Sequence, residues 1–279
     1  MTTAIQPQDK SVTVNGLKLH YLDWGTTGKT PMLLLHGLRG HAHSWDDFSL
    51  AMCQTYHVLA IDQRGRGDSD WAPNGDYSTA AYVSDLAAFS DALGLTSFVL
   101  AGHSMGGRNS MAFTATYPHQ VQKLIIVDVG PTIDPRGAAR IKQEIKHVPE
   151  AFDSFEAVMA YMSKQNTYAS DMVLRRRLQS ATKALTDGSV GWCYDVAIRD
   201  QSRQGTGAPP VDLWSEIPKI TCPTLIVRGQ ETDLLSPDVA QKMVDAMPHA
   251  TRVDIARAGH MVFEDNPDDF NRVVREWLS

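Results

Sequence analysis

Cysteine is scarce in this chain of 279 residues, with only Cys53, Cys193 and Cys222, widely spaced and without a C-x-x-C pair. So few cysteines, odd in number and scattered, do not make a disulfide framework. They read as reduced packing residues of a cytoplasmic protein. No apolar run reaches the roughly 20 residues that a membrane helix needs. Met1 to Lys10 is polar and lacks the apolar core of a secretion signal, so no membrane is expected as a partner. Positive charge is also short, with 26 Lys and Arg against 32 Asp and Glu and a net charge of −6. That balance gives no electrostatic reason to expect nucleic acid. The one basic run, Arg175-Arg176-Arg177, reads as a solvated helix face. Nor is the chain short of core material. Apolar residues are 43% and charged residues 21% of the total, the balance of an ordinary soluble protein rather than a disordered one. Its length suits one large domain, or one core with an inserted subdomain.

The first half alternates strands and helices. Ser11–Val14 and Leu17–Leu22 flank Asn15-Gly16, a strong two-residue hairpin turn. Met32–Leu35, His57–Ile61, Ser97–Ala101 and Val121–Val127 are short apolar runs of the kind buried on both faces of a sheet. Helices are expected from Ser44, as cap, to Met52, over Thr79–Leu93, and from Gly107 to Tyr117 before Pro118. Thr224–Val227, a helix over Pro237–Met247, Thr251–Ile255 and a last helix over Pro267–Leu278 continue the rhythm. Such alternation implies an α/β fold, a mostly parallel sheet of about eight strands with helices on both faces.

From Pro131 to about Leu213 the rhythm breaks. No strand is expected there, only amphipathic helices over Ile133–His147, Phe155–Gln165, Asp171–Leu185 and Val190–Gln201. Gly205-Thr206-Gly207-Ala208-Pro209-Pro210 reads as the loop back to the sheet. The division is therefore a core of residues 1–130 and 214–279 and a helical cap of residues 131–213. An insert after the sixth strand is placed to cover the strand ends, where open α/β sheets bind ligands.

Gly102-His103-Ser104-Met105-Gly106 joins one of those strands to the helix that follows. G-x-S-x-G in that setting is a nucleophile elbow, with a strained serine and glycines where a Cβ would clash. Three other motifs accompany it: His36-Gly37, Asp62-Gln63-Arg64-Gly65-Arg66-Gly67-Asp68-Ser69, and Ala258-Gly259-His260. In this order, over nearly the whole length, the chain resembles the α/β-hydrolase fold superfamily, in its serine carboxylesterase and hydrolase branch. The resemblance implies Ser104 as nucleophile, His260 as general base, and the amides of Leu38 and Met105 as oxyanion hole. It also implies an acid after one of two strands. Asp128 ends Leu124-Ile125-Ile126-Val127, where a carboxylate needs a partner. Asp233 follows Gly229 one residue later than usual, because Thr232 takes the customary slot. Asp128 is preferred, Asp233 is the alternative, and Glu231 comes third. Of the ten histidines, His36 and His103 are read as structural, and His41 and His43 as loop residues or pocket mouth.

The expected chemistry is ester cleavage through an acyl-enzyme, needing neither metal nor organic cofactor. Serine at the elbow excludes the branches of the family that use aspartate there. Carboxylesterase is preferred, and hydrolases of lactone, C–C or C–N bonds stay open. Among these is an acetamidomethylene-succinate-type enzyme, suggested by Arg108-Asn109-Ser110 and the early acid. Arg39 and Arg108 are the cations expected to meet a dicarboxylate. Trp45, Met105, Tyr161 and Trp192 favour a mostly apolar pocket for a small-molecule substrate. A non-catalytic small-molecule receptor on the same fold is the reading from another class. Assembly is open, with a homodimer among the options.

Overall fold

The computed structural model describes residues 5–164, 168–199 and 209–279. Two strands, β1 (Gln8–Val14) and β2 (Leu17–Asp23), form the expected hairpin. Its turn residues Asn15 and Gly16 both have left-handed backbones, with φ of 51° and 76°, as a two-residue hairpin turn requires. The sheet continues through β3 (Pro31–Leu35), β4 (His57–Ile61), β5 (Phe98–His103) and β6 (Val121–Val127). The strand order across all eight is β1-β2-β4-β3-β5-β6-β10-β11, where β10 is Thr224–Gly229 and β11 is Ala250–Ile255. All pairs from β4 onward are parallel, and the β1–β2 and β2–β4 pairs are antiparallel.

Strand periodicity divides the core into two layers. Along β5, Phe98 and Leu100 enter one apolar cluster and Val99 and Ala101 the other. The first cluster packs under α2 (Thr79–Ala92), α3 (Met105–Thr116) and α8 (Pro237–Ala246). The second packs under α1 (Asp46–Met52) and α10 (Pro267–Leu278), through residues such as Phe48, Phe270 and Val274. The first helix differs from expectation at its start. A 3-10 turn over Ala42–Trp45, capped by His41, precedes α1; the capping position of α1 itself is Trp45, and Ser44 lies inside the turn.

The segment after β6 departs more. Its helices are α4 (Pro135–His147), α5 (Phe155–Ser163) and α6 (Asp171–Ala181). Between and after them run β7 (Ala151–Phe152), β8 (Thr182–Ala184) and β9 (Val190–Trp192), a small sheet of order β7-β9-β8. The expected absence of strands there is wrong, as is a helix from Val190. β8 and β9 are joined through Asp187 and Gly188, an Asp-Gly turn in which the Gly188 φ is 86° and the Ser189 hydroxyl donates to Asp187. That dipeptide is a hairpin signal which the helical pattern around it hid. Trp192 and the β-branched Val190 belong to a separate apolar cluster with Val158, Leu174, Leu178 and Tyr194. A 3-10 turn over Val196–Arg199 follows, and the expected loop at 205–208 lies outside the described residues. Helix α7 (Leu213–Glu216) leads back to β10, and α9 (Val262–Asp265) precedes α10. Among the described residues no helix is long and apolar enough to cross a membrane.

Candidate active site

Ser104 occupies the turn between β5 and α3 with φ 54° and ψ −118°, a backbone that non-glycine residues rarely adopt. The surroundings enforce it. A Cβ on Gly102 would come within 2.3 Å of Ser110 Oγ and 2.4 Å of Gly106 O. One on Gly106 would come within 2.3 Å of Leu35 O, on the neighbouring strand. The Ser104 N–H donates to Val127 O at 3.0 Å, which pins the elbow to β6. Among the described residues Ser104 Oγ has no protein hydrogen-bond partner, and neither do the amides of Leu38 and Met105.

One residue beyond β6, Asp128 also has a left-handed backbone, φ 51°, and is fully buried. Its Oδ1 accepts from the Gly229 amide at 3.0 Å and its Oδ2 from the Thr232 hydroxyl at 2.6 Å. The His260 ring reaches the same Oδ2 through Nδ1 at 2.8 Å. That contact fixes the tautomer and leaves Nε2 as the other ring nitrogen. Thr232, in the slot that the resemblance reserves for an acid, contributes a hydroxyl to Asp128 instead. Asp233 lines the same cavity as His260, but among the described residues its carboxylate is hydrogen-bonded to Arg140 and not to the imidazole. Its two oxygens take Arg140 Nε and Nη2 at 2.7 and 2.8 Å.

The loop carrying His260 is tied down on two sides. Gly259 N–H donates to Asp265 at 2.9 Å, and His103 Nε2 donates to the His260 carbonyl at 2.9 Å. His36 donates from Nδ1 to Gly37 O at 2.8 Å and accepts the Gln63 N–H on Nε2 at 3.0 Å, which requires a neutral ring. Both rings are engaged in hydrogen bonds, and His103, set against the His260 loop, also lines the cavity described below. His43 is half-buried beside Asp46, at 3.0 Å. His41 is buried and lines the cavity described next.

Burial pulls the His260 imidazole below its ordinary pKa, and the nearby Arg140 adds to the effect. Its neutral, proton-accepting form therefore persists through neutral pH. Burial pushes the Asp128 carboxyl up to about 7, against the Thr232 and Gly229 hydrogen bonds that favour the ionised form.

Ser104 and His260 line one cavity of about 440 Å³, between the strand ends and the inserted segment. Leu38, Arg39 and Trp192 line it too. The other residues expected in the pocket do not. Trp45 is fully buried and stacks on Phe263 at 4.4 Å, within the layer under α1 and α10. Arg108 donates to the carbonyls of Gly130 and Pro131 at 2.9 and 3.0 Å. Tyr161 packs on Phe152 at 5.5 Å in the inserted segment's own cluster. The Met105 side chain lies 3.3 Å from an Arg66 nitrogen. The sequence reading missed Arg140, Glu144 and Arg177 in the lining. They come from α4 and α6, whose charged faces resemble solvated surface in sequence and mark no motif. Arg39 and Arg140 share Glu144 at 2.9 and 2.6 Å, and Arg177 pairs with Glu264 at 2.6 Å.

The sequence profile of the alpha/beta hydrolase fold family matches residues 30–267, and the chain belongs to that family. A Bacillus subtilis (strain 168) protein provisionally named 2-succinyl-6-hydroxy-2,4-cyclohexadiene-1-carboxylate synthase is 31% identical over 96% of this chain and 98% of its own. The 2-(acetamidomethylene)succinate hydrolase of Mesorhizobium japonicum (strain LMG 29417 / CECT 9101 / MAFF 303099) is 27% identical over 88% of this chain and 87% of its own. A crystal structure of E-2-(acetamidomethylene)succinate hydrolase matches with a TM-score of 0.88 and 25% identity, over 98% of this chain and 99% of that one. Esterase Rv0045c of Mycobacterium tuberculosis (strain ATCC 25618 / H37Rv) is 28% identical over 91% of this chain and 84% of its own. Hydrolase activity is the common thread of these names, with the synthase as the exception.

Proposed function

We propose that this chain is a serine hydrolase that cleaves a small ester-type substrate through an acyl-enzyme. The observation that carries it is the 2.8 Å contact from His260 to buried Asp128, beside a strained Ser104 in one cavity. In this reading Ser104 Oγ adds to the substrate carbonyl while His260 Nε2 takes its proton. Asp128, hydrogen-bonded at Nδ1, stabilises the imidazolium that forms. The carbonyl oxygen gains negative charge, which the amides of Leu38 and Met105 meet. Each such donor is worth about 3 kcal/mol to the transition state. His260 then returns the proton to the departing alkoxide, the alcohol leaves, and water repeats the sequence to release the acid and free Ser104. Residues 131–213 act as the cap over this chemistry, with α4 and α6 supplying much of the cavity's polar wall.

Turnover of p-nitrophenyl acetate and butyrate by the wild-type chain, lost in Ser104→Ala, is the expected result. No turnover by the wild-type chain and no labelling of Ser104 by a fluorophosphonate would replace the hydrolase with the receptor reading. A second substrate class has a specific observation behind it. Arg39, Arg140 and Arg177 all line the cavity, each paired with a carboxylate of the chain (Glu144, Asp233 or Glu264), and a guanidinium can exchange such a partner for a substrate carboxylate. A screen of neutral esters and lactones against carboxylated amides and enamides decides between the two. Faster hydrolysis of the carboxylated amides would displace the ester.

A further inference from the structure

The loop after β4 carries two arginines that share burial but not partners. Arg64 faces Asp85, with Nε and Nη2 at 2.6 and 2.7 Å from the carboxylate oxygens. Arg66 is fully buried and, among the described residues, has no carboxylate at ion-pair distance. Its Nε donates to the Leu38 carbonyl at 3.1 Å. Its Nη1 donates to Arg64 O at 2.8 Å and to the Tyr82 hydroxyl, and its Nη2 lies 3.3 Å from Met105 Sδ. The guanidinium carbon lies 5.4 and 5.3 Å from the ring centres of Tyr77 and Tyr82. These aromatic faces partly offset the cost of burying the charge.

A buried cation without a counter-ion is costly and persists only where its surroundings compensate it. Here the hydrogen bonds point to a use. Leu38 and Met105 are the two residues whose amides receive the oxyanion in the function proposed above, and they come from different elements, the loop after β3 and the first turn of α3. Arg66 is one side chain that contacts both, from behind the cavity wall. It fixes the carbonyl end of Leu38 and the thioether of Met105 relative to each other. Its planar fork suits that task in a way a lysine's single ammonium does not.

We propose that Arg66 is a positioning residue for the oxyanion hole. It holds the two donor residues in register, and its unneutralised charge favours a negative oxygen in front of them. This rests on the hydrolase reading. Wild-type turnover and Ser104 labelling are therefore established first. A failure of that reading registers there, and a failure of the Arg66 role registers in the variants.

The experiment compares Arg66→Met, Arg66→Lys and Arg64→Met, with active sites counted by fluorophosphonate titration so that misfolded chains do not enter kcat. The expected result for Arg66→Met is a kcat per titrated site at least tenfold lower, with KM within threefold. Binding of phenylboronic acid, whose serine adduct is a tetrahedral anion, weakens by the same factor as kcat/KM. Arg66→Lys keeps the charge without the fork and recovers part of the loss. Arg64→Met, which breaks a buried ion pair away from Leu38 and Met105, lowers the melting temperature and leaves kcat per titrated site within threefold. Unchanged kcat in Arg66→Met, undiminished boronate affinity, or an equal kcat loss in Arg64→Met would overturn the assignment. Should Arg66→Met yield no folded protein, Arg66→Lys decides alone, by a kcat loss of threefold or more against none.

Discussion

The central sheet and the inserted segment solve the same problem, burying apolar surface, in different ways. In the sheet, β5 alternates its side chains between two layers, each closed by helices, and no residue of the strand is solvated. The inserted segment has a small cluster of its own around Val158, Leu174, Leu178 and Trp192, with α4 almost wholly outside it. Helix α4 is instead joined to the core through polar contacts, from Arg140 to Asp233 and from Glu144 to Arg39. Rigid packing therefore holds Ser104 and Asp128, while exchangeable ion pairs form the opposite wall of the cavity. The contrast teaches where tolerance lies. Under the proposed function, chemistry would be built on the part that cannot adjust, and substrate choice on the part that can.

The largest expected effect separates two core carboxylates, Asp128, which bonds His260, and Asp233, which pairs with Arg140 of the inserted segment. Asp128→Ala lowers kcat/KM for a p-nitrophenyl ester by on the order of 10³–10⁴-fold. Asp233→Ala, which breaks only a half-exposed ion pair to the inserted segment, stays within about threefold. Collapse of the Asp233 variant with full activity in Asp128→Ala would reverse the assignment.

A stability pair comes next. Leu100→Ala, in the first sheet layer, costs about 2–5 kcal/mol of global stability. Leu178→Ala removes the same side chain from the smaller cluster. Its cost is expected at the lower end of that range, with a larger proportional loss of activity per titrated site. Urea unfolding followed by tryptophan fluorescence and by activity distinguishes them. Identical losses in both variants would mean that the two clusters unfold as one.

Smaller still is the effect of Arg140→Ala, expected to change KM by about three- to tenfold with little change in kcat, because it alters the wall and not the reacting groups. A drop in kcat alone would place Arg140 in the chemistry.

The last prediction concerns pH and sharpens the account of the rigid half. His36, held neutral by its two hydrogen bonds, is pulled down to about 3 by burial, and buried His41 to about 4. Their unfolded values lie near 6.5. Below that pH the unfolded chain binds protons that the folded chain refuses, so stability falls as pH falls. Each group contributes a loss of up to about 1.4 kcal/mol per pH unit between 6.5 and its folded value. Asp128, raised to about 7, acts in the opposite sense over the same range, so the test is a difference: from pH 7.5 to 5 the melting temperature of the parent chain should fall further, or rise less, than that of His41→Asn. Identical pH profiles in the two chains contradict it.

Sequence information was uneven across the same boundary. The sheet strands, the hairpin turn at Asn15-Gly16 and the G-x-S-x-G turn are local signals, written in apolar runs and in glycines that only close approach explains. They were legible for that reason. The position of Asp128 beside His260 was readable only as a choice between two carboxylates, because nothing local records that Thr232 donates to one of them. In the inserted segment the reading failed at Val190–Trp192, where a three-residue strand is too short to show its period. It also failed at Arg140 and Arg177. On an isolated helix a charge aimed into a cavity has the same pattern as one aimed into water, and only packing tells them apart. Trp45 failed in the opposite direction, as a large aromatic that the core took and the pocket did not.

The most direct measurement is the intact mass and peptide map of the wild-type chain after brief exposure to a fluorophosphonate at pH 7, with His260→Ala alongside. The account predicts one adduct, on Ser104, formed rapidly in the parent chain and slowed by orders of magnitude when the imidazole is gone. No adduct on Ser104, or labelling at the same rate without His260, would contradict it.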